Sequence, residues 1–172
     1  MTASDSSEVP APDSDLAAEL IATLSSRSLT VAVAESLTGG LLVAELIRPA
    51  GASAVVVGGV VAYATDLKRA VLGVDGDLLA AHGPVHPEVA RQMASGVRAA
   101  LAVDGRAADI GISTTGVAGP DPQGGHAPGT VFLGLSTAAG ERAVELSLSG
   151  DRTSIRSQTV SAALALLADR DN

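Results

Sequence analysis

The chain has 172 residues, of which 47% are hydrophobic and 17% charged, a length and composition that suit one folded domain and exclude disorder for its bulk. Its net charge of -8 disfavours a nucleic-acid partner, and having only Tyr63 and Phe132 as rings removes the stacking platform that single-strand binders use. It contains no Cys, which fits a reducing cytoplasm, and its apolar runs are too short to span a bilayer.

Residues 1–12 are rich in Ser, Asp, Pro and Ala and read as a disordered tail ahead of one domain over 13–172. A helix is predicted over 13–27, capped by Asp13 or Ser14, with Leu16, Leu20, Ile21 and Leu24 at helical spacing. The Val-rich run 29–34 reads as a buried strand, and helical character resumes over 38–47 until Pro49 and Gly51 end it. Residues 54–63 form a second strand, in which Gly58-Gly59 suggests a bulge or a close backbone approach. Thr65 caps a short helix to 72, and 75–82 reads as another. His86-Pro87-Glu88 opens a helix that runs to 103. A strand over 108–115 leads into a long Gly/Pro loop, 116–129. Strands 130–137 and 142–148 pair antiparallel, and a last helix starts near Asp151. The alternation predicts an α/β fold, a three-layer α/β/α sandwich on a mixed, mostly parallel sheet.

The run Glu35-Ser36-Leu37-Thr38-Gly39-Gly40 lies between a predicted strand and a predicted helix. Ligands of open α/β sheets bind at the carboxyl ends of strands, where a helix start offers free N–H groups. Ser36 there can attack a carbonyl carbon while nearby N–H groups hold the oxyanion. The same groups can instead hold a phosphate, which remains compatible with the net charge. The plain structural reading of Ser36 is a helix cap.

A nucleophilic serine needs a base. His126 in the glycine loop is one candidate. Lys68, the only lysine in the chain, is another. Desolvation lowers a lysine pKa and lets the amine accept a proton. Tyr63 is placed to relay a proton or to hydrogen-bond a substrate. The plain reading is a surface lysine and a core tyrosine. The run Thr114-Thr115-Gly116-Val117-Ala118-Gly119-Pro120 offers hydroxyls and open N–H groups at a strand end, and Arg152 can hold an anion by paired hydrogen bonds. No His/Asp/Glu spacing reads as a metal site.

Taken together in this order, the pieces resemble a known family. Ala34-Glu35-Ser36-Leu37-Thr38-Gly39-Gly40, Gly58-Gly59 with Tyr63 and Lys68, Leu72-Gly73-Val74, Thr115-Gly116-Val117-Ala118-Gly119-Pro120, Pro128-Gly129-Thr130-Val131 and Gly150-Asp151-Arg152 resemble the motifs of the C-terminal domain of the competence/damage-inducible protein CinA. Leu37 stands where many members have a small or sulfur-bearing residue, and His126-Ala127-Pro128-Gly129 is an uncommon form of its loop. The resemblance implies an α/β/α sandwich. It also implies hydrolysis of the carboxamide of nicotinamide mononucleotide to nicotinic acid mononucleotide and ammonia. It carries the nucleophile over to Ser36, the base to Lys68, and essential roles to Tyr63 and Arg152. Glu35, Thr38, Gly39, Gly40, Thr115 and Gly116 are the expected substrate-binding residues, with Thr38-Gly39-Gly40 or Thr115-Gly116 with Arg152 as the alternatives for the 5′-phosphate. No cofactor and no metal are implied. The expected partner is a small pyridine nucleotide, with the protein a cytoplasmic homodimer. The larger members carry a molybdopterin-binding-like domain for which 172 residues leave no room, so the stand-alone form is expected. The competing reading is a non-catalytic nucleotide sensor or partner-binding module linked to competence or DNA damage.

Overall fold

The computed structural model describes residues 15–169; the expected tail and the caps Asp13 and Ser14 lie outside these. The first described helix, α1 (Leu16–Ser26), is capped instead by Asp15, whose carboxylate accepts from the Ala18 N–H at 3.1 Å. Strand β1 (Val31–Glu35) is buried along its whole length. It is followed by α2 (Leu41–Ile47), a 3-10 turn (Ala52–Ala54) and β2 (Val56–Val61). Helices α3 (Thr65–Leu72), α4 (Gly76–His82) and α5 (Pro87–Ala100) come next, then β3 (Ile110–Gly116). The chain continues through β4 (Thr130–Thr137) and β5 (Gly140–Ser147) to α6 (Arg152–Ala168). Among the described residues no helix is long and apolar enough to cross a membrane.

The sheet order is β2-β1-β3-β4-β5, with β1 parallel to β2 and β3, and β4 antiparallel to both β3 and β5. Four strands therefore point one way and β4 alone opposes them. Successive residues of β1 face opposite sides of the sheet. Val31 and Val33 join the core built by α1, α2 and α6, whereas Ala32 and Ala34 meet α3 and α5. Each buried Leu or Val of these two cores contributes on the order of 1.5–3 kcal/mol.

The α5 face is packed by absence of side chain. A Cβ on Gly134 would lie 2.1 Å from the Ala90 carbonyl oxygen, and one on Gly111 would lie 1.9 Å from that of Ala94. Helix α5 thus rests directly on the sheet. The small-residue composition read from the sequence has its structural reason here.

Several boundaries differ from expectation. Helix α2 begins at Leu41 rather than 38, because residues 36–40 form a turn. Thr65 is the first residue of α3, and its N-cap is Ala64, with no side-chain bond. Strand β5 begins at Gly140 because only Ala138 and Ala139 separate the hairpin strands. The glycine pair of β2 accompanies both features expected of it. The register steps from Val31↔Val56 to Ala32↔Gly58, leaving Val57 as a bulge, and a Cβ on Gly59 would meet Val43 of α2 at 3.0 Å.

Candidate active site

The parallel strands β1, β2 and β3 end side by side, with Glu35 level with Val61 on one flank and with Thr114 on the other. The chain leaves β1 toward β2 and leaves β3 toward β4, in opposite directions across the sheet. A crevice opens where such connections diverge. Ser36 enters it as the first residue past β1, its N–H held at 3.0 Å by the Thr114 carbonyl.

Helix α2 is capped from within. The wholly buried Glu35 carboxylate accepts from the N–H groups of Gly40 at 2.9 Å, Leu42 at 3.2 Å and Val43 at 2.8 Å. Gly40 itself occupies the N-cap position with φ 100°, a left-handed conformation that glycine adopts without strain. Ser36 is therefore not a helix cap, and its hydroxyl is free for other work. The helix start is also closed to a ligand anion, because a carboxylate already fills it. The turn between Ser36 and Gly40 is fixed from two more sides. The Thr38 and Thr114 hydroxyls pair at 2.8 Å, and Arg156 of α6 donates to the carbonyls of Leu37 and Thr38, each at 2.9 Å.

Lys68 sits on α3 and is only 1% exposed. Its Nζ lies 3.0 Å from Ser36 Oγ and donates to the Ala62 carbonyl at 2.7 Å. No carboxylate hydrogen-bonds it among the described residues, so nothing compensates its charge. Burial pushes its pKa down to about 8. An amine so placed can accept the Ser36 proton. Ser36 keeps 8% exposure, enough to present Oγ to the crevice.

The rim is built by three segments. Tyr63, just past β2, is 62% exposed, not a core tyrosine, and its hydroxyl accepts from Arg152 at 3.3 Å. Arg152 also donates to the Gly119 carbonyl at 2.9 Å, which ties the first turn of α6 to the loop after β3. The Thr115 hydroxyl donates to the Pro84 carbonyl at 2.6 Å. The crevice encloses about 590 Å³, its open mouth included, and Asp121 and Gln123 line it beside the residues already named. The N–H groups of Leu37 and Ala118, both in its wall, make no hydrogen bond among the described residues.

The structure thus brings Ser36, Lys68, Tyr63, Arg152, Thr115 and Gly116 together around one crevice. It does not bring Glu35, Thr38, Gly39 or Gly40 to the lining. There the structure shows a buried cap, a buried hydroxyl pair and a turn held by arginine. His126 is also outside the lining, its ring set edge-on to Phe132 with centroids 6.3 Å apart, and His86 caps α5 through Nδ1. No histidine hydrogen-bonds Ser36 among the described residues. Sequence reasoning missed Asp121, Gln123 and Arg156, and it read the Thr114 hydroxyl as open to a ligand, whereas that hydroxyl pairs with Thr38. The spacing of Arg152 and Arg156, one helical turn apart, was the available signal for Arg156.

Residues 13–170 match the family described as CinA C-terminal domain. The chain is 46% identical over 155 residues to a CinA-like protein of Frankia casuarinae, covering 90% of this chain and 35% of that protein. It spans about one third of the length of the curated relatives that it matches. Among solved structures it is similar to the competence/damage inducible protein CihA from Agrobacterium tumefaciens, with TM-score 0.85 and 34% identity over 93% of this chain and 98% of that one. The competence damage-inducible protein A from Klebsiella pneumoniae is similar too, with TM-score 0.83 and 34% identity over 90% and 94% of the two chains.

Proposed function

The chain belongs to the CinA C-terminal domain family, and from that premise we propose that it is an amidohydrolase that converts nicotinamide mononucleotide to nicotinic acid mononucleotide and ammonia. The observation that carries this reading is the buried Lys68 amine 3.0 Å from Ser36 Oγ, with no other basic side chain hydrogen-bonded to Ser36 among the described residues. With a pKa of about 8, roughly one tenth of the amine is neutral at pH 7, a workable supply of base.

Neutral Lys68 takes the proton from Ser36 Oγ as that oxygen attacks the carboxamide carbon. The carbonyl oxygen becomes an oxyanion, which the free N–H of Leu37 is placed to hold. The intermediate collapses with cleavage of the C–N bond, and the Lys68 ammonium gives its proton to the departing ammonia. Water then attacks the acyl ester, gives a proton to Lys68, and expels Ser36 Oγ, which recovers that proton. Tyr63 and Thr115-Gly116 border the space for the ring and ribose, and Arg152 is the cation available to the 5′-phosphate. The cysteine-free composition is consistent with work in the cytoplasm.

The test is ammonia release from nicotinamide mononucleotide by purified protein and by Ser36→Ala and Lys68→Ala. Activity in the wild type and its loss in both variants supports the dyad, and an active Lys68→Ala would sink it. Calorimetric binding of the mononucleotide without turnover by the wild type would favour a nucleotide-sensing module instead.

A further inference from the structure

Two charges at the mouth of the crevice have no charged partner among the described residues. Arg152 bonds only to neutral acceptors, the Gly119 carbonyl and the Tyr63 hydroxyl. Asp121 lines the same crevice and makes no hydrogen bond or ion pair among the described residues, with Arg152 or with any other group. Its position is nevertheless defined. Pro120 and Pro122 flank it and restrict the backbone on both sides. Just beyond, the backbones of Gln123 and His126 exchange two hydrogen bonds of 3.0 Å, closing the loop tip. An anion carried on a restrained backbone and a cation tethered to neutral acceptors therefore line one cavity without neutralising each other.

A ligand that carries both charges would satisfy both groups. An N-ribosylated nicotinamide is such a ligand. Its ring nitrogen is permanently cationic, and its phosphate lies at the far end of the ribose. Resting on the catalytic reading above, we infer that Asp121 is a specificity residue, selecting a quaternised pyridinium ring beside the carboxamide while Arg152 takes the phosphate. Electrostatic attraction of this kind acts mainly on binding. It also separates substrate from product. Deamidation adds a carboxylate to the ring, which a neighbouring Asp121 repels, so the same residue speeds release.

The experiment compares two substrates that share ribose and phosphate. Nicotinamide mononucleotide has a cationic ring, and its reduced dihydropyridine form has a neutral one. Asp121→Asn keeps shape and removes charge, and thermal melting checks that it folds. The expected result is a KM about tenfold higher for the cationic substrate with kcat nearly unchanged, and less than a twofold change for the neutral one. Equal losses on both substrates would overturn the inference and assign Asp121 to the ribose hydroxyls. No change on either would overturn it as well. Ammonia release by the wild type reports separately on the catalytic reading. If the wild type releases none, calorimetric titration of Ser36→Ala and Ser36→Ala/Asp121→Asn with the two mononucleotides applies the same criteria to Kd.

Discussion

Replacing Lys68 by Met keeps most of a wholly buried side chain and removes its charge. Holding the amine near 8 instead of its ordinary 10.5 costs the folded protein about 3 kcal/mol while the amine is protonated in both states. Methionine relieves that cost. It also leaves the Ala62 carbonyl and the Ser36 hydroxyl without their amine partner, a loss of about 1 kcal/mol each. The variant should therefore be inactive yet more stable than the wild type by about 1 kcal/mol at pH 7, or about 3 °C in Tm. The pH dependence follows from the sign of the shift. Below pH 8 the amine is charged in both states, and the full cost is present. Between about 8 and 10.5 it is neutral when folded and charged when unfolded, so the cost fades as pH rises. The advantage of Lys68→Met should thus shrink from pH 7 to pH 10. Urea unfolding of both proteins at the two pH values measures this. A variant less stable at pH 7, or one whose advantage stays constant to pH 10, refutes the reasoning.

The rate should follow the neutral fraction of the same amine. From a pKa of about 8, kcat/KM for ammonia release should rise about fivefold from pH 7 to 8 and about twofold more to pH 9, and a flat profile in Lys68-dependent activity would contradict it. Glu35→Gln leaves one acceptor oxygen for three N–H groups, so stability should fall by about 2 kcal/mol and kcat by at least about tenfold, with KM little changed. Denaturant unfolding beside steady-state kinetics reads both, and a rise in KM alone would return Glu35 to substrate binding.

The strands were legible because a short Val-rich run bounded by turn residues suits a buried strand and little else, as in β1. The address of Ser36 was legible too, since a polar turn after such a strand falls at the carboxyl end of a parallel sheet. Its task was not. Local preference favours Ser as a helix cap, and nothing in the spacing says that Glu35 folds back to reach Gly40 and Val43. Lys68 stood out by being alone, but its burial depends on α3 lying beside the end of β1, a tertiary fact. Arg156 and the pairing of Thr114 with Thr38 escaped because the partners lie 118 and 76 residues apart in the chain. The order of the motifs supplied what spacing lacked, while the scaffold roles of Thr38, Gly39 and Gly40 came only from the structure. A motif marks a stretch as constrained without saying whether the constraint is ligand or scaffold.

The two arginines of α6 bear on how the protein is made. Arg152 secures the rim and Arg156 the turn that carries Ser36, yet every described strand precedes them in the chain. A nascent polypeptide that has emerged from the ribosome through β5 has Ser36 and Lys68 but not the brace that holds the turn and the rim. The crevice is completed only when α6 docks on a sheet whose strands have already been made.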